Sequence, residues 1–281
     1  MQRPGIVLTM TNLPACLPSD CLSILQITDL HILASQDATL LGLNTAYYFD
    51  AVLALAFAGH RSFDLILLTG DLAQDPVIES YQYILDKLTA LDIPCLCLPG
   101  NHDDDALMQQ VFNTRLINCR KHLVLNDWQI IVLNSQIPGA DGGRLAAAEL
   151  AYLEDCLQAN PDKYALIAVH HHCLKTDSIW MDTMMIENSG EFLAVIGKYP
   201  RAKLIVNGHI HQEMDKTTGA VRVLGTPSTC FQFKPGSREF SLDDTSPAYR
   251  LIQLHADGHI ATEITRLPGR LVGLQTDTEG Y

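Results

Sequence analysis

Short apolar runs recur through the chain at Leu22–Ile27, Phe63–Leu68, Pro94–Leu98, Ile130–Leu133, Tyr164–Val169 and Lys203–Val206. Their length suits strands buried on both faces rather than helices. Between several of them, apolar positions recur at helical spacing, over Thr45–Ala58, Val77–Leu91, Ala106–Phe112, Ala146–Leu157 and Glu191–Lys198. Strands alternating with helices predict an α/β architecture. From Ala220 onward the pattern turns to strand and turn. Tyr249–Leu254 and His259–Thr265 flank Asp257-Gly258, a hairpin signal. No Gly/Ser/Pro linker marks a cut, so residues 1–281 read as one domain, with the chemistry-bearing motifs in 22–212 and a β-rich segment in 213–281.

Composition narrows the function. With 47% hydrophobic and 18% charged residues, the 281-residue chain can bury a full core, which excludes intrinsic disorder. A net charge of −13 argues against nucleic-acid binding through phosphate contacts. No apolar run approaches the ~18–20 residues of a membrane span. The apolar stretch Ile6–Met10 after Arg3 is cut short by Thr11, Asn12 and Pro14, too soon for a secretory signal. The eight cysteines (Cys16, Cys21, Cys95, Cys97, Cys119, Cys156, Cys173 and Cys230) are scattered and form no C-x-x-C pair. They read as reduced, mostly buried thiols of a cytoplasmic protein.

Five strand-like runs end in polar clusters of one chemical kind. Leu22–Thr28 leads into Asp29-Leu30-His31, and Leu65–Thr69 into Gly70-Asp71. Cys95–Pro99 leads into Gly100-Asn101-His102-Asp103, Ala165–Val169 into His170-His171-His172, and Leu204–Asn207 into Gly208-His209-Ile210-His211. Loops at the carboxyl ends of strands are where open α/β sheets build their sites. A glycine before Asp71, Asn101 and His209 allows a sharp turn and a close approach to a bound ion. The period of two in Asp29-x-His31 and His209-x-His211 puts both side chains on one side of an extended segment. Singly, each cluster reads as a turn or a surface tract; together they describe a metal centre. An oxygen and nitrogen donor set suits Fe or Mn first, with Zn, Co or Ni as alternatives. Seven ligands are too many for one ion with an open position, so two ions sharing a carboxylate are expected, with Asp71 as the bridge.

The order D-x-H, G-D, G-N-H-D, H, G-H-x-H resembles the calcineurin-like metallophosphoesterases. Local features resemble, within that superfamily, the class III bacterial 3′,5′-cyclic-AMP phosphodiesterases: Ile24–Asp29, Leu41–Thr45, Thr69–Asp75, the triple histidine, Asn207–Glu213, Pro227–Cys230 with Gln232–Pro235, His255–Gly258 and Glu279–Tyr281. The resemblance implies a four-layer α/β/β/α sandwich of two mixed sheets flanked by helices. It implies Asp29, His31, Asp71 and His211 as ligands of one metal, and Asp71, Asn101, His170 and His209 as ligands of the other. His102 matches the family's histidine beside the substrate phosphate. Asp71 and His102 are thus the candidate catalytic residues, and His31, Asp71, Asn101, His102 and His211 are expected around the substrate. Two positions depart from the pattern: Cys173 stands in place of a proline, implying a less rigid loop, and Asn134 in place of an aspartate.

The chemistry follows. Four positive charges against two carboxylates make a cationic pocket in an acidic protein. Water shared by the two ions is expected to lose a proton near neutral pH and to attack phosphorus in line. His102 is expected to protonate the leaving 3′-oxygen, giving 5′-AMP from cyclic AMP; its alternative is an orienting role. Asp103 reads as an acid opening the next helix, with orientation of a ring nitrogen as the alternative. Rival readings are another diester substrate (a glycerophosphodiester, a 2′,3′-cyclic nucleotide or a nucleotide-sugar) and a non-catalytic scaffold. A phosphoprotein substrate is disfavoured because Leu72–Pro76 holds no arginine. Phe231 and Phe233, flanked by prolines, read as exposed aromatics that line a substrate cleft, form a homodimer contact or pack as an ordinary loop.

Overall fold

The structure, a computed structural model, describes residues 21–58, 62–278 and 280. The N-terminal stretch read for targeting, Cys16, and Glu279 and Tyr281 of the C-terminal match lie outside the described residues. In chain order the strands are β1 (Cys21–Ile27), β2 (Leu65–Thr69), β3 (Cys95–Leu98), β4 (Ile117–Asn118), β5 (His122–Leu125), β6 (Trp128–Val132), β7 (Tyr164–Ala168), β8 (Ala202–Asn207), β9 (Met214–Thr218), β10 (Val221–Gly225), β11 (Gln232–Phe233), β12 (Leu242–Asp243), β13 (Ala248–His255) and β14 (Ile260–Arg266). The helices are α1 (Thr45–Ala56), α2 (Ile78–Thr89), α3 (Asp105–Val111), α4 (Ala147–Ala159) and α5 (Ser189–Ile196), with one 3₁₀ turn over Met181–Met184.

Two six-stranded mixed sheets form, in the orders β14-β13-β1-β2-β3-β4 and β5-β6-β7-β8-β10-β9. In the first, β1 through β4 run parallel and β13 and β14 close the edge as an antiparallel hairpin. In the second, β6, β7, β8 and β10 run parallel, with β5 and β9 antiparallel at the edges. The alternation of side chains along a strand divides the core into three. Leu22, Ile24, Leu65 and Leu67 meet Ile130, Leu166, Leu204 and Val206 between the sheets. Leu25, Ile27, Ile66 and Leu68 face α1 and α2 on one outer side, while Ala165, Ile167 and Val169 face α4 and α5 on the other. The layers are therefore α/β/β/α, as the resemblance implied.

Gln26 is a polar residue between the sheets, as is Arg250, which donates from β13 to the Gly225 carbonyl (2.8 Å). Gln26 donates to the Thr69 hydroxyl (3.0 Å) and the Asn207 carbonyl (3.3 Å) and accepts from the Thr226 hydroxyl (2.7 Å). A buried amide satisfied on both sides ties the first sheet to the second just beneath the strand ends. The edge strands β5 and β9 escape the apolar-run reading because they are short and partly exposed, with polar residues throughout β9. Among the described residues six cysteines are free, while Cys21 is disulfide-bonded, which corrects the expectation of reduced thiols at that position. Spacing and chain length, on which that expectation rested, say nothing of which thiols approach one another. Among the described residues no helix is long and apolar enough to cross a membrane.

Candidate metal centre

All five clusters meet at one rim, where the parallel strands of both sheets end. The backbone there differs from the extended segments the sequence suggested. Asp29, His31, Asp71, His209 and His211 have φ of 52°, 48°, 51°, 66° and 46°. That left-handed region is sparsely populated by residues other than glycine, and five such residues in one site mark a backbone held by its surroundings. The side chains of Asp29 and His31 converge because the chain coils. The intervening Leu30 and Ile210 are fully buried and pin each coil to the outer core on its own side.

Backbone bonds lace the loops together. Asp29 N–H donates to the Gly70 carbonyl and His31 N–H to the Asp71 carbonyl, both at 3.0 Å. His209 N–H donates to the Asp29 carboxylate (3.0 Å), joining the last loop to the first across both sheets. The glycines make these approaches feasible in a way the sequence did not foretell: they clear side chains of neighbouring loops. A Cβ on Gly70, itself at φ +92°, would lie 2.3 Å from His170 Nδ1, and one on Gly208 would lie 2.0 Å from Thr28 Oγ1.

Three imidazoles are oriented in the same way. His31 Nδ1 bonds Gln74 Oε1 (2.8 Å), His170 Nδ1 bonds the Thr69 carbonyl (2.9 Å) and His211 Nδ1 bonds the Phe231 carbonyl (2.8 Å). Each partner is an acceptor, so each Nδ1 carries the hydrogen and donates it. In a neutral ring Nε2 is then a bare lone pair facing inward, the arrangement typical of metal-binding histidine. His31 Nε2 and His211 Nε2 lie 3.3 Å apart, two lone pairs that repel unless a cation or proton sits between them. His211 Nε2 is 3.3 Å from Asp29 Oδ1, and His170 Nε2 is 3.1 Å from Asn101 Oδ1.

Asp71 occupies the middle. Its Oδ1 accepts from His102 N–H (2.9 Å), while Oδ2 lies 3.2 Å from His170 Nε2 and 3.8 Å from His31 Nε2. Burial opposes its charge, but His170, His102 and His31 hold its carboxyl well below the usual carboxylate range. Burial likewise disfavours the His170 imidazolium, yet Asp71 outweighs it and pushes His170 up to about 9. Burial, reinforced by neighbouring imidazoles, drives His209 well below the ordinary histidine value. Its buried Nε2 has no hydrogen-bond partner.

The donor atoms of Asp29, His31 and His211 group within 4.8 Å of one another, as do those of Asp29, Asp71 and His170. The donor chemistry, the inward-facing Nε2 atoms of His31, His170 and His211 and the orphaned His209 nitrogen all fit divalent cations, which would take the place of the proton that Asp71 favours on His170.

Within the triplet, His170 faces Asp71 and Asn101, and His171 bonds the Ser135 hydroxyl (2.7 Å) and the Asp141 carbonyl (3.2 Å), while donor nitrogens of His170, His171 and His209 also lie within 4.8 Å of one another. His172 lies 3.7 Å from the Asp182 carboxylate. Cys173 is buried in the outer core, so its loop is held by packing in place of proline. His102 is half-exposed at the mouth, its ring 5.0 Å from that of His31 and nearly perpendicular.

Asp103 overturns the expectation of a helix-opening acid. Asp104 caps α3, accepting from Leu107 N–H, while Asp103 points inward. It accepts from the N–H groups of Leu72, Ala73 and Gly100 and from the Tyr81 hydroxyl. Both the Gly70-Asp71 loop and the Gly100-Asn101 loop therefore hang on this one carboxylate. Gln136 adds a second brace, donating to the Gly100 carbonyl (2.5 Å) and the Asp103 carbonyl (2.8 Å). It is itself held through its N–H by Asn134 Oδ1 (2.8 Å), the position that departs from the family pattern. Gln74, Gln136 and the bracing role of Asp103 were missed from sequence; Gln74 lay inside a matched motif, but its partner is 43 residues away.

Beside the cluster opens a cavity of about 250 Å³. Its lining combines the polar Asn101, His102 and His209 with the apolar Trp180, Met184 and Phe240. Phe231 and Phe233 are buried, which corrects their reading as exposed. Phe233 stacks on His211 with ring centroids 4.2 Å apart and itself lines the cavity.

Comparison with known proteins agrees with this geometry. Residues 22–213 match the family model described as calcineurin-like phosphoesterase. The chain is 42% identical over 252 residues to a 3′,5′-cyclic adenosine monophosphate phosphodiesterase of Vibrio vulnificus, covering 89% of this chain and 92% of that protein. It is 40% identical over 259 residues to the Escherichia coli K12 protein of the same name, covering 92% and 94%. Among solved structures, a dimetal phosphatase from Danio rerio shares the fold at a TM-score of 0.59 and 14% identity, covering 87% of this chain and 99% of that one. Rim, donor set and relatives agree: the chain belongs to the calcineurin-like phosphoesterase family.

Proposed function

We propose that the protein is a 3′,5′-cyclic-AMP phosphodiesterase, releasing 5′-AMP and so lowering cellular cyclic AMP, with residues 1–281 acting as one domain. The observation that carries this reading is the convergence of the complete donor set with His102 at one rim; the relatives' names supply the substrate. Asp29, His31, Asp71 and His211 would hold one divalent ion, and Asp71, Asn101, His170 and His209 the other, with Fe or Mn favoured by the mixed nitrogen and oxygen donors. Bound there, the ions supply Lewis acidity toward phosphate oxygens and lower the pKa of water toward neutrality.

The chain's own residues do the rest. Gln74, Thr69 and Phe231 fix the imidazole tautomers, so no reorientation is needed on binding. Asp71 is anchored through Oδ1 by His102 N–H, leaving Oδ2 central. Water adds to phosphorus, the bond to the ribose 3′-oxygen breaks, and that oxygen must gain a proton. His102, at the mouth beside Asn101, is placed to give it.

The test is a side-by-side assay, with Mn²⁺ or Fe²⁺ added, of cyclic AMP, cyclic GMP, 2′,3′-cyclic nucleotides and glycerophosphodiesters. Cyclic AMP is expected to have the highest kcat/KM. Turnover confined to non-cyclic diesters would overturn the substrate and leave the metal centre standing.

A further inference from the structure

The cavity beside the metal centre is also lined by Trp180, Met181, Met184 and Phe240, apolar side chains that take no part in the chemistry above. Trp180 is fixed from three sides. Its Nε1 donates to the Ser237 hydroxyl (2.8 Å), and its ring packs edge-to-face with Phe233 (5.0 Å, 85°) and Phe240 (5.3 Å, 71°). The loops carrying it are zipped together: Ile179 N–H donates to the Ser237 carbonyl, and Gly236 N–H to the Ser178 hydroxyl, both at 3.0 Å. The indole is therefore preformed in one plane, yet it is only half-buried. Met181 and Met184, polarisable side chains that adapt to flat ligands, line the cavity beside it.

A phosphodiester held at Asn101, His102 and His209 places the rest of its molecule in this space. In a 3′,5′-cyclic nucleotide the ribose is fused to the phosphate ring, so the base leaves the anchored phosphate in a constrained direction. An aromatic platform in the wall of the same cavity, about 250 Å³ in volume, suits a flat heterocycle.

We propose that Trp180, braced by Phe233, Phe240 and Ser237, is the stacking platform for the nucleobase of the substrate. This rests on the cyclic-nucleotide reading above. Trp180 is thus a specificity residue: it separates base-bearing cyclic phosphates from those without a base.

The test compares kcat/KM for cyclic AMP and for its abasic analogue, 1-deoxyribose 3′,5′-cyclic phosphate, in metal-loaded wild type, Trp180→Ala and Trp180→Phe. Stacking of one base on an aromatic side chain corresponds to roughly 5- to 150-fold. The wild type is expected to favour cyclic AMP by a factor in that range. In Trp180→Ala the ratio of cyclic AMP to abasic kcat/KM is expected to fall toward one, and Trp180→Phe keeps most of the advantage. A second readout needs no turnover. The chain has two tryptophans, and the other, Trp128, is buried between the sheets with its Nε1 bonded to the His255 carbonyl. AMP is expected to quench the emission of wild type and not that of Trp180→Phe. Equal losses on both substrates in Trp180→Ala, or quenching that survives in Trp180→Phe, would overturn the proposal. If the wild type turns over neither cyclic phosphate, the phosphodiesterase reading falls, and the quenching arm still decides whether Trp180 receives a base.

Discussion

The donor cluster and the aromatic wall border one cavity and are built by different means. The cluster stands on loops that begin where parallel strands stop. Five of its residues hold left-handed backbone, Asp29, His31, Asp71, His170 and His211 are essentially unexposed, and every loop is bonded to another. The wall comes from two stretches, around Ser178–Met184 and Phe231–Phe240, joined by a few hydrogen bonds and ring contacts. Fixed charge geometry needs a frame that resists relaxation, and sheet rims supply one. A hydrophobic ligand face tolerates variation, and loops suffice for it. The difference implies that the chemical end is intolerant of single changes, whereas the wall adjusts affinity without affecting metal content.

The largest effect is expected at Asp71. Replacing it with alanine removes the carboxylate proposed to be shared and leaves His170 and His31 without the anion beside them. Activity should fall by roughly 10³-fold or more, and elemental analysis should show both metals weakened. Full metal content in Asp71→Ala would remove the bridging role and blur the contrast between cluster and wall. His102 comes next. Its alanine variant should keep both metals and lose roughly 10²- to 10⁴-fold in kcat, the range for a positioned proton donor. Loss of metal in His102→Ala would move it into the donor set.

Gln74 tests whether the frame matters as much as the donors. Its amide oxygen holds the His31 tautomer, and such supporting bonds are worth roughly 10- to 100-fold in metal affinity. Gln74→Ala should weaken metal binding by that factor in a competition titration with a chelator. Trp180→Ala should leave the same titration unmoved. Equal shifts in the two variants would mean that the two ends are coupled.

The same contrast explains what could be read from the sequence. Asp29, Asp71, Asn101, His170 and His209 each directly follow a strand or stand a few residues past one, so an apolar run announces each of them. The layers followed from runs whose alternate residues fill two cores. The braces are silent, because Gln136 and Asp103 act through partners that come together only when β2, β3 and β6 deliver their loops to one rim. Trp180 left a faint trace, an apolar Ile179-Trp180-Met181 with Met184-Met185 close behind and no helical or strand period. Phe231 and Phe233 were misjudged because flanking prolines report on backbone and say nothing of what packs above it.

Asp103 offers the subtlest measurement. Burial first, and then the charge of Asp71, push its carboxyl up to about 6, against 3.8 for an unperturbed aspartate, despite the N–H groups of Gly100, Leu72 and Ala73 that favour its ionised form. Between those two values the folded protein keeps a proton that the unfolded chain has lost. Stability therefore falls as pH rises from about 4 to about 6, and is flat beyond as far as this group is concerned. The shift corresponds to about 3 kcal/mol at most. Asparagine cannot ionise, so Asp103→Asn should lack this component. Urea unfolding of metal-free wild type and variant at matched pH isolates it, because titrating groups that do not interact with Asp103 cancel in the difference. The variant should lose ground to wild type at pH 4.5 and recover relative to it by pH 6.5. An amide has one acceptor oxygen where the carboxylate offers two, so a constant offset from the lost Gly100 bond is expected at every pH. A difference that does not change with pH would show that Asp103 braces the two loops in its ionised form throughout, and would place the cost of its burial in the frame that holds the cluster.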